Sequence, residues 1–230
     1  MFDYQRISSS SQYGGVRVVL TGTIIGVSSG KYSVALDTLP EAIHGCVPAG
    51  TPILMNDATK TVAIHYAFKL AEEVTYLQGA TSMVLKLAKT FEGSRAKVGM
   101  IIGIAPALIT GDVAIPLTIT AIDRSNSAYD SVTCSCSATA DGGTIAINTT
   151  LVEVLENDDD NKFYIKVVPN AYSFYDVVKH PAAVEVYVDG LFCQVDGVLL
   201  TRRVPPIAAC VAKYLREEGN TYVRYSNSQE

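Results

Sequence analysis

Residues 115–137 read Ile115-Pro116-Leu117-Thr118-Ile119-Thr120-Ala121-Ile122-Asp123, then Arg124-Ser125-Asn126-Ser127-Ala128-Tyr129-Asp130, then Ser131-Val132-Thr133-Cys134-Ser135-Cys136-Ser137. Ile115 to Asp123 is rich in Ile, Leu and Thr, whose side chains suit a pleated, half-buried surface. Ser131 to Ser137 alternates small and polar residues, and the polar stretch Arg124 to Asp130 lies between the two. The pattern predicts a β-hairpin with a long loop. The same texture continues outward, with short β-branched and aromatic runs such as Val16 to Val27 and Lys31 to Leu36, punctuated by Gly, Asp, Asn and Pro. Nearer the C-terminus, Val184 to Val188, Leu191 to Val195 and Val198 to Arg202 are separated by Asp189-Gly190 and Asp196-Gly197. That dipeptide supplies the positive φ angles of tight hairpin turns, so a β-meander is expected there. The chain is therefore expected to be mainly β.

One helix stands out. Pro205 and Pro206 suit its start, Ile207, Cys210, Val211, Tyr214 and Leu215 fall on one face that should lie on a sheet, and Gly219 suits its end. His65 to Leu77 reads two ways: Ala, Leu and Glu favour a helix, while Tyr66, Phe68 and Leu70 alternate as in a strand. Asp3 to Gly15, with serines from Ser8 to Ser11 and then Gly14 and Gly15, is too polar to pack alone and reads as a flexible N-terminal arm. Residues 16–230 then form a β-rich domain, with a division near 157–181 as the alternative.

With 230 residues, 48% of them hydrophobic and 18% charged, the chain has the composition of a globular protein able to bury its own core. A net charge of −5 gives no general attraction to nucleic-acid phosphates or anionic membranes. Neither is expected as a partner. Met1 to Arg6 shows no basic region leading into an apolar stretch, so no secretion signal is expected. The longest apolar stretch, Met100 to Ile109, contains Gly103 and Pro106 and is far shorter than a membrane span. The five cysteines, Cys46, Cys134, Cys136, Cys193 and Cys210, are an odd number in a chain large enough to fold without disulfides, which fits assembly in a reducing compartment.

Several motifs bear on chemistry. Gly26-Val27-Ser28-Ser29-Gly30 matches the G-x-S-x-G elbow of serine hydrolases, with Ser28 as nucleophile. An elbow needs a helix after the serine and a histidine later, for which His44, His65 and His180 are the candidates. Lys31 to Leu36 reads instead as a strand, and a Gly-Ser hairpin loop accounts for the same letters. Gly26 to Lys31 also differs from a phosphate-binding loop, because one residue is missing between the glycines and Tyr32 stands where Ser or Thr should hold the metal. Cys134 and Cys136 fall on one strand face without further ligands nearby, and read as small buried thiols. Glu156, Asp158, Asp159 and Asp160 lack the spacing of a calcium loop and read as a turn between strands. Asn148-Thr149-Thr150 fits a glycosylation sequon but would need export. No catalytic residue, cofactor site or metal site is assigned, and no enzyme is expected.

Two stretches resemble the head decoration and head-fibre proteins of tailed bacteriophages. The first is Cys46-Val47-Pro48-Ala49-Gly50-Thr51-Pro52-Ile53, followed by the polar turn Asn56 to Lys60, similar to the first strand of those small β-domains. The second is Val98 to Gly103, then Ile119 to Asp123 and Tyr129 to Thr133, similar to their recurring hairpin. The Val-rich segment with Gly190, the Pro-Pro pair and the helix at Val211 to Leu215 also resemble the way such proteins finish. Asn157 to Pro181 has no counterpart in that pattern. The resemblance implies a small β-barrel or β-sandwich-like core, β-tulip-like, with one short C-terminal helix.

It also implies a structural virion protein, assembled in the bacterial cytoplasm, that binds the major capsid protein on the outside of the head and stabilises it. Further partners would be its own copies, as a trimer or another homo-oligomer, and head fibres. Phe2 to Ile7 would then suit strand addition to a neighbour. Three alternatives stand beside this: a head-fibre or host-attachment base using exposed Tyr172, Phe174 and Tyr175, a serine hydrolase through Ser28, and a carbohydrate-binding β-sandwich, against which the absence of tryptophan counts.

Overall fold

The computed structural model describes residues 20–24, 28–35, 39, 47–89, 94–136, 141–157, 162–173, 176–177, 186–191, 195–200, 204–218 and 223–226. In chain order the strands begin with β1 (Leu20–Ile24), β2 (Ser28–Val34), β3 (Pro52–Asn56), β4 (Thr61–Ile64), β5 (Ala67–Lys69), β6 (Val74–Tyr76), β7 (Ser82–Ala88), β8 (Ile101–Ile104) and β9 (Ala114–Asp123). They continue with β10 (Tyr129–Cys136), β11 (Gly143–Ile145), β12 (Thr150–Asn157), β13 (Lys162–Ile165), β14 (Ala171–Ser173), β15 (Val186–Leu191), β16 (Val195–Leu200) and, after helix α1 (Ala209–Glu217), β17 (Val223–Ser226). The protein is mainly β with one short C-terminal helix, as its branched and aromatic runs predict. The expected arm, residues 1–15, lies outside the described residues.

The chain divides into two compact units. Met1–His65, Val168–Pro205 and Ala212–Glu230 make the first, and Tyr66–Val167 with Pro206–Val211 make the second. Of the four crossings, the one between Val167 and Val168 falls within residues 157–181; those between His65 and Tyr66, Pro205 and Pro206, and Val211 and Ala212 have no counterpart in the sequence reading.

In the first unit β14, β15, β2, β4 and β3 close into a five-stranded barrel. Four of its five pairings are antiparallel, and the fifth sets β2 parallel to β4 through Ser33–Thr61 and Val34–Val62. Alternation along β3 buries Ile53 and Met55 and leaves Leu54 outside; Val34, Val62 and Ile64 are buried on the neighbouring strands. A separate sheet of order β1-β16-β17 pairs β16 antiparallel to β1 and parallel to β17.

This arrangement corrects two expectations. Both Asp-Gly dipeptides lie inside strands, in β15 and β16, and these two strands belong to different sheets, so no meander forms. At Gly190 the absent side chain permits an irregularity: the β15–β2 register shifts between Val188 and Gly190, which pairs with Ser28. Gly197 lies in regular pairing, opposite Gly22 on one side and Val223 on the other. Likewise β1 and β2 pair with different partners and β2 already starts at Ser28, so these two strands do not form a hairpin.

The second unit is built on a seven-stranded antiparallel sheet, in the order β13-β12-β8-β9-β10-β7, with β5 also pairing β12. The predicted hairpin is its centre, β9 against β10, with a loop shortened to residues 124–128. The sheet curls until Leu70, just after β5, bridges Leu87 of β7 and the Ala71 N–H donates to Lys86 O at 2.7 Å. Inside lie Phe68, Leu70, Met83, Leu85, Leu87, Ile102, Leu117, Ile119, Val132 and Leu151, all buried. Each such side chain contributes about 1.5–3 kcal/mol on leaving water. A two-stranded ribbon, β6 against β11, keeps the register of the β5–β12 pairing past a short interruption. His65 to Leu77 is therefore strand, as the alternation of Tyr66, Phe68 and Leu70 favoured, because both flanks of the segment find ladder partners.

Gly103 is required by close approach. A Cβ there would stand 2.4 Å from Val113 Cγ1, where the β8–β9 register shifts. The helix begins at Ala209 and not at the proline pair. Cys210, Val211 and Leu215 are buried as expected, whereas Ile207 precedes the helix; Gly219 lies outside the described residues. No described helix is long and apolar enough to cross a membrane.

Candidate functional site

Polar groups inside the two units are the chemically distinctive features. In the first unit Pro48 to Thr51 forms a type II turn: Thr51 N–H donates to Pro48 O at 3.1 Å and Gly50 takes φ 78. The second central position of that turn needs positive φ, so glycine suits it. Ser173 Oγ donates to Pro48 O at 2.5 Å and accepts from Thr51 N at 3.0 Å. Gly50 N donates to Ser173 O and Ser173 N to Thr51 O, both at 2.8 Å. The buried carboxylate of Asp176 accepts from Ala49 N at 2.7 Å. The Ala49-Gly50-Thr51 step is thus clamped to the segment around β14 from both of its sides.

Nearby in the same unit, Tyr32 donates to Asp57, and the Lys60 ammonium donates to both at 3.2 and 3.3 Å. The Tyr32 bond first and Lys60 second hold the Asp57 carboxyl below its ordinary range, and the Tyr32 bond first and Asp57 second raise Lys60. These contacts stabilise the β3–β4 turn, in which Lys60 takes φ 54.

In the second unit, Asp130 sits on β10 with Val132 and Cys134 on the inward set of positions, and is fully buried. Its Oδ2 accepts from Ser94 Oγ at 2.6 Å and Ser94 N at 3.1 Å, and its Oδ1 lies 3.2 Å from the Lys89 ammonium. Lys89 also donates to Arg124 O at 2.8 Å and to Asn126 O. Arg124 donates in turn to Ala96 O at 2.8 Å. Asp130 and Lys89 therefore tie the segment before β8 and the β9–β10 loop to one end of the sheet.

Arg95, buried with φ 58, places its guanidinium 5.7 Å from the Tyr66 ring centre. Burial holds the Tyr66 phenol above its ordinary range despite the opposing pull of Arg95, and Glu153 adds to the upward shift. Glu153 itself pairs with Lys166 at 2.7 Å.

The residues singled out in the sequence do not converge. Ser28 starts a strand that runs to Val34, so the helix of a nucleophile elbow is not there. His65 is buried in the first unit, while His44 and His180 lie outside the described residues. Tyr172 is buried at 1% exposure, which removes it as an exposed aromatic; its strand β14 has partners on both edges. Phe174 and Tyr175 lie outside the described residues. Asn157 pairs with Lys162, so the acidic run connects β12 and β13 as expected, its residues 158–161 being outside the described set. Among the described residues no group of three or more His, Cys, Asp or Glu is placed to hold a metal ion.

Cys134 and Cys210 are buried and Cys136 is half-buried, all three as free thiols. Burial, with a smaller effect from Cys136, pushes the Cys134 thiol up to about 12. It is consequently a neutral thiol at pH 8, and thiolate is the reactive form. Alkylation with iodoacetamide at that pH, followed by peptide mass analysis, is expected to spare Cys134 in the folded protein and to modify it after denaturation. Rapid modification in the folded state would contradict its placement in the core.

Sequence reasoning missed Lys89, Ser94, Asp130, Ser173 and Asp176 as the polar fasteners. One signal was present: Asp130 alternates in step with Val132 and Cys134, which places a carboxylate on an inward-facing position. The chain matches no protein-family model, no curated protein and no solved structure.

Proposed function

We propose that this chain is a structural protein of a tailed-phage virion that binds the major capsid protein lattice from outside and stabilises the head, without catalysing a reaction. The observation that carries this reading is the folding of the stretches on which the resemblance rests. Val98 to Gly103, Ile119 to Asp123 and Tyr129 to Thr133 belong to one consecutive antiparallel meander, β8-β9-β10, at the centre of the second unit's sheet. The other stretch, Cys46 to Ile53, leads through the clamped turn into β3 of the barrel. The placement of these polar groups supports the same reading, because Ser94, Lys89, Ser173 and Asp176 each bond to backbone groups, and Asp130 accepts from both the backbone and the hydroxyl of Ser94. Rigid β-units fastened in this way suit a protein that adds many weak contacts to a symmetric shell, where repetition turns them into avidity.

The test is co-sedimentation of the purified protein with expanded, undecorated heads made of the capsid protein encoded alongside it, followed by heat or osmotic shock. Saturable binding with improved survival is the expected result. Binding without added survival would favour a fibre or attachment base, and absence of binding would overturn the proposal.

A further inference from the structure

We propose that the side chains of Lys89 and Asp130 condense to an amide, an intramolecular cross-link that ties β7, the last strand of the second unit's sheet, to β10. The β7–β10 ladder sets Leu87 opposite Asp130, and beyond β7 the Lys89 N–H still donates to Ala128 O at 3.0 Å. Strand alternation therefore puts the Lys89 side chain on the face of Asp130, as its diagonal neighbour. Among the described ion pairs this one alone has a wholly buried acid: the Asp130 side chain is 0% exposed, and that of Lys89 20%. The pair Lys166–Glu153 is closer, at 2.7 Å, but its lysine is 45% exposed and stays an ordinary ion pair.

Both reacting groups are oriented for the step. The Lys89 nitrogen lies 3.2 Å from Asp130 Oδ1, which accepts no hydrogen bond from the described residues. Two of the three ammonium hydrogens go to Arg124 O at 2.8 Å and to Asn126 O. The third is left for Oδ1, and the lone pair that its departure creates points at the carboxyl group. On the other oxygen, Oδ2, the Ser94 hydroxyl donates at 2.6 Å and the Ser94 N–H at 3.1 Å. A pair of fixed donors on one oxygen is what stabilises the charge of a tetrahedral intermediate. Because backbone groups hold both reactants, little freedom remains to be lost on reaching the attacking geometry.

The step balances without any other reactant. A proton passes from the ammonium to Oδ1, the freed lone pair of Nζ attacks Cγ, and negative charge collects on Oδ2 under the two Ser94 donors. A second proton moves from Nζ to Oδ1, the Cγ–Oδ1 bond breaks, and Oδ1 leaves as water while Oδ2 becomes the amide carbonyl oxygen. One ammonium and one carboxylate are thereby exchanged for a neutral amide and water, which relieves the cost of keeping a charge at a buried position. The ion pair described above is the state before closure. Ser94 keeps its acceptor throughout, so removing Asp130 frees the same segment before closure or after it. The closed bond encloses β8 and β9 and restricts the unfolded chain as a disulfide does.

The experiment is intact-mass analysis of the full chain, denatured at intervals after cell-free synthesis, followed by tryptic mapping. The wild type is expected to become lighter than its sequence by one water. Trypsin should then fail to cut after Lys89, and a branched peptide should join the segments that carry Lys89 and Asp130. Lys89→Gln, shown to be folded by circular dichroism, should keep its full mass. Ser94→Ala retains both reactants and should close about a hundredfold more slowly. A wild type that keeps its full sequence mass overturns the inference. So does a loss of water that persists in Lys89→Gln or maps to an Asp-Gly succinimide such as Asp141-Gly142. Closure of Ser94→Ala at the wild-type rate overturns the part given to Ser94. Capsid binding enters none of these readouts, so the two proposals fail separately.

Discussion

Replacing Asp130 by Ala is expected to destabilise the second unit by about 2–4 kcal/mol, the cost of leaving the buried Ser94 donors without their charged acceptor. Two donors lose their acceptor at once, the Ser94 N–H and the Ser94 hydroxyl, and the Lys89 ammonium loses the carboxylate 3.2 Å from it. Lys89 keeps two backbone carbonyls, but its charge is then no longer balanced at the buried end of β10. Asp130→Asn retains an acceptor for Ser94 and removes the charge, so its effect should be smaller. Because the chain has two compact units, a single global transition is not assumed. Hydrogen exchange resolved by peptide is the appropriate readout, with protection lost first in β7, β9 and β10 and kept in β3 and β14. Equal loss in both sets, or no loss, would show that Asp130 does not fasten this unit locally.

The second large effect is expected at Asp176. Asp176→Ala removes the acceptor of Ala49 N–H inside the first unit, and a buried donor left unpaired, together with a lost bond to a charged group, costs about 2–4 kcal/mol. The consequence should spread along the clamp. Without Asp176 the Pro48 to Thr51 turn is held by Ser173 and the Val47–Val177 bridge that precedes it, and β3 and β14, which pair through only two residue pairs, should exchange faster. Here β3 and β14 lose protection while β9 and β10 do not, the mirror image of the Asp130 result. Combining Asp176→Ala with Ser173→Ala should cost more than either alone but less than their sum, since both substitutions release the same turn.

These two carboxylates illustrate a general point about reading such a chain. A buried Asp in a β-protein invites a catalytic interpretation, yet Asp130 accepts from the N–H and hydroxyl of Ser94 beside a lysine that closes a loop, and Asp176 accepts from the Ala49 N–H. What they hold is the entry of the chain into strands whose ladder hydrogen bonds are few. Short ladders are the weak points of small barrels and curled sheets, and polar clamps offset that weakness at defined places.

Much of the fold was legible locally. The β9–β10 hairpin followed from branched residues flanking a polar loop, the turn at Asn56 to Lys60 from its composition, the helix around Cys210, Val211 and Leu215 from its apolar face, and the acidic connection after β12 from its charge. Each depends on residues close in sequence, whose preferences act before any distant contact forms. The strand character of Lys31 to Val34, which leaves Ser28 without the helix of an elbow, was legible for the same reason.

Tertiary structure alone decided which strands are neighbours. Asp-Gly at 189–190 and 196–197 has the chemistry of a hairpin turn, but β15 pairs with β2 and β14, and β16 with β1 and β17, because distant strands offered full ladders that a local meander would have had to forgo. Glycine is permissive and so takes the conformation its partners impose. Likewise β5 and β6 became strands because residues 143–152 stood ready to pair with them. The connections that carry Leu77, Leu108 and Ile147 come to one end of the second unit's sheet only through registers between strands far apart in sequence. Local composition determines what a segment is able to be; the pairing of distant backbone groups determines where its side chains finish.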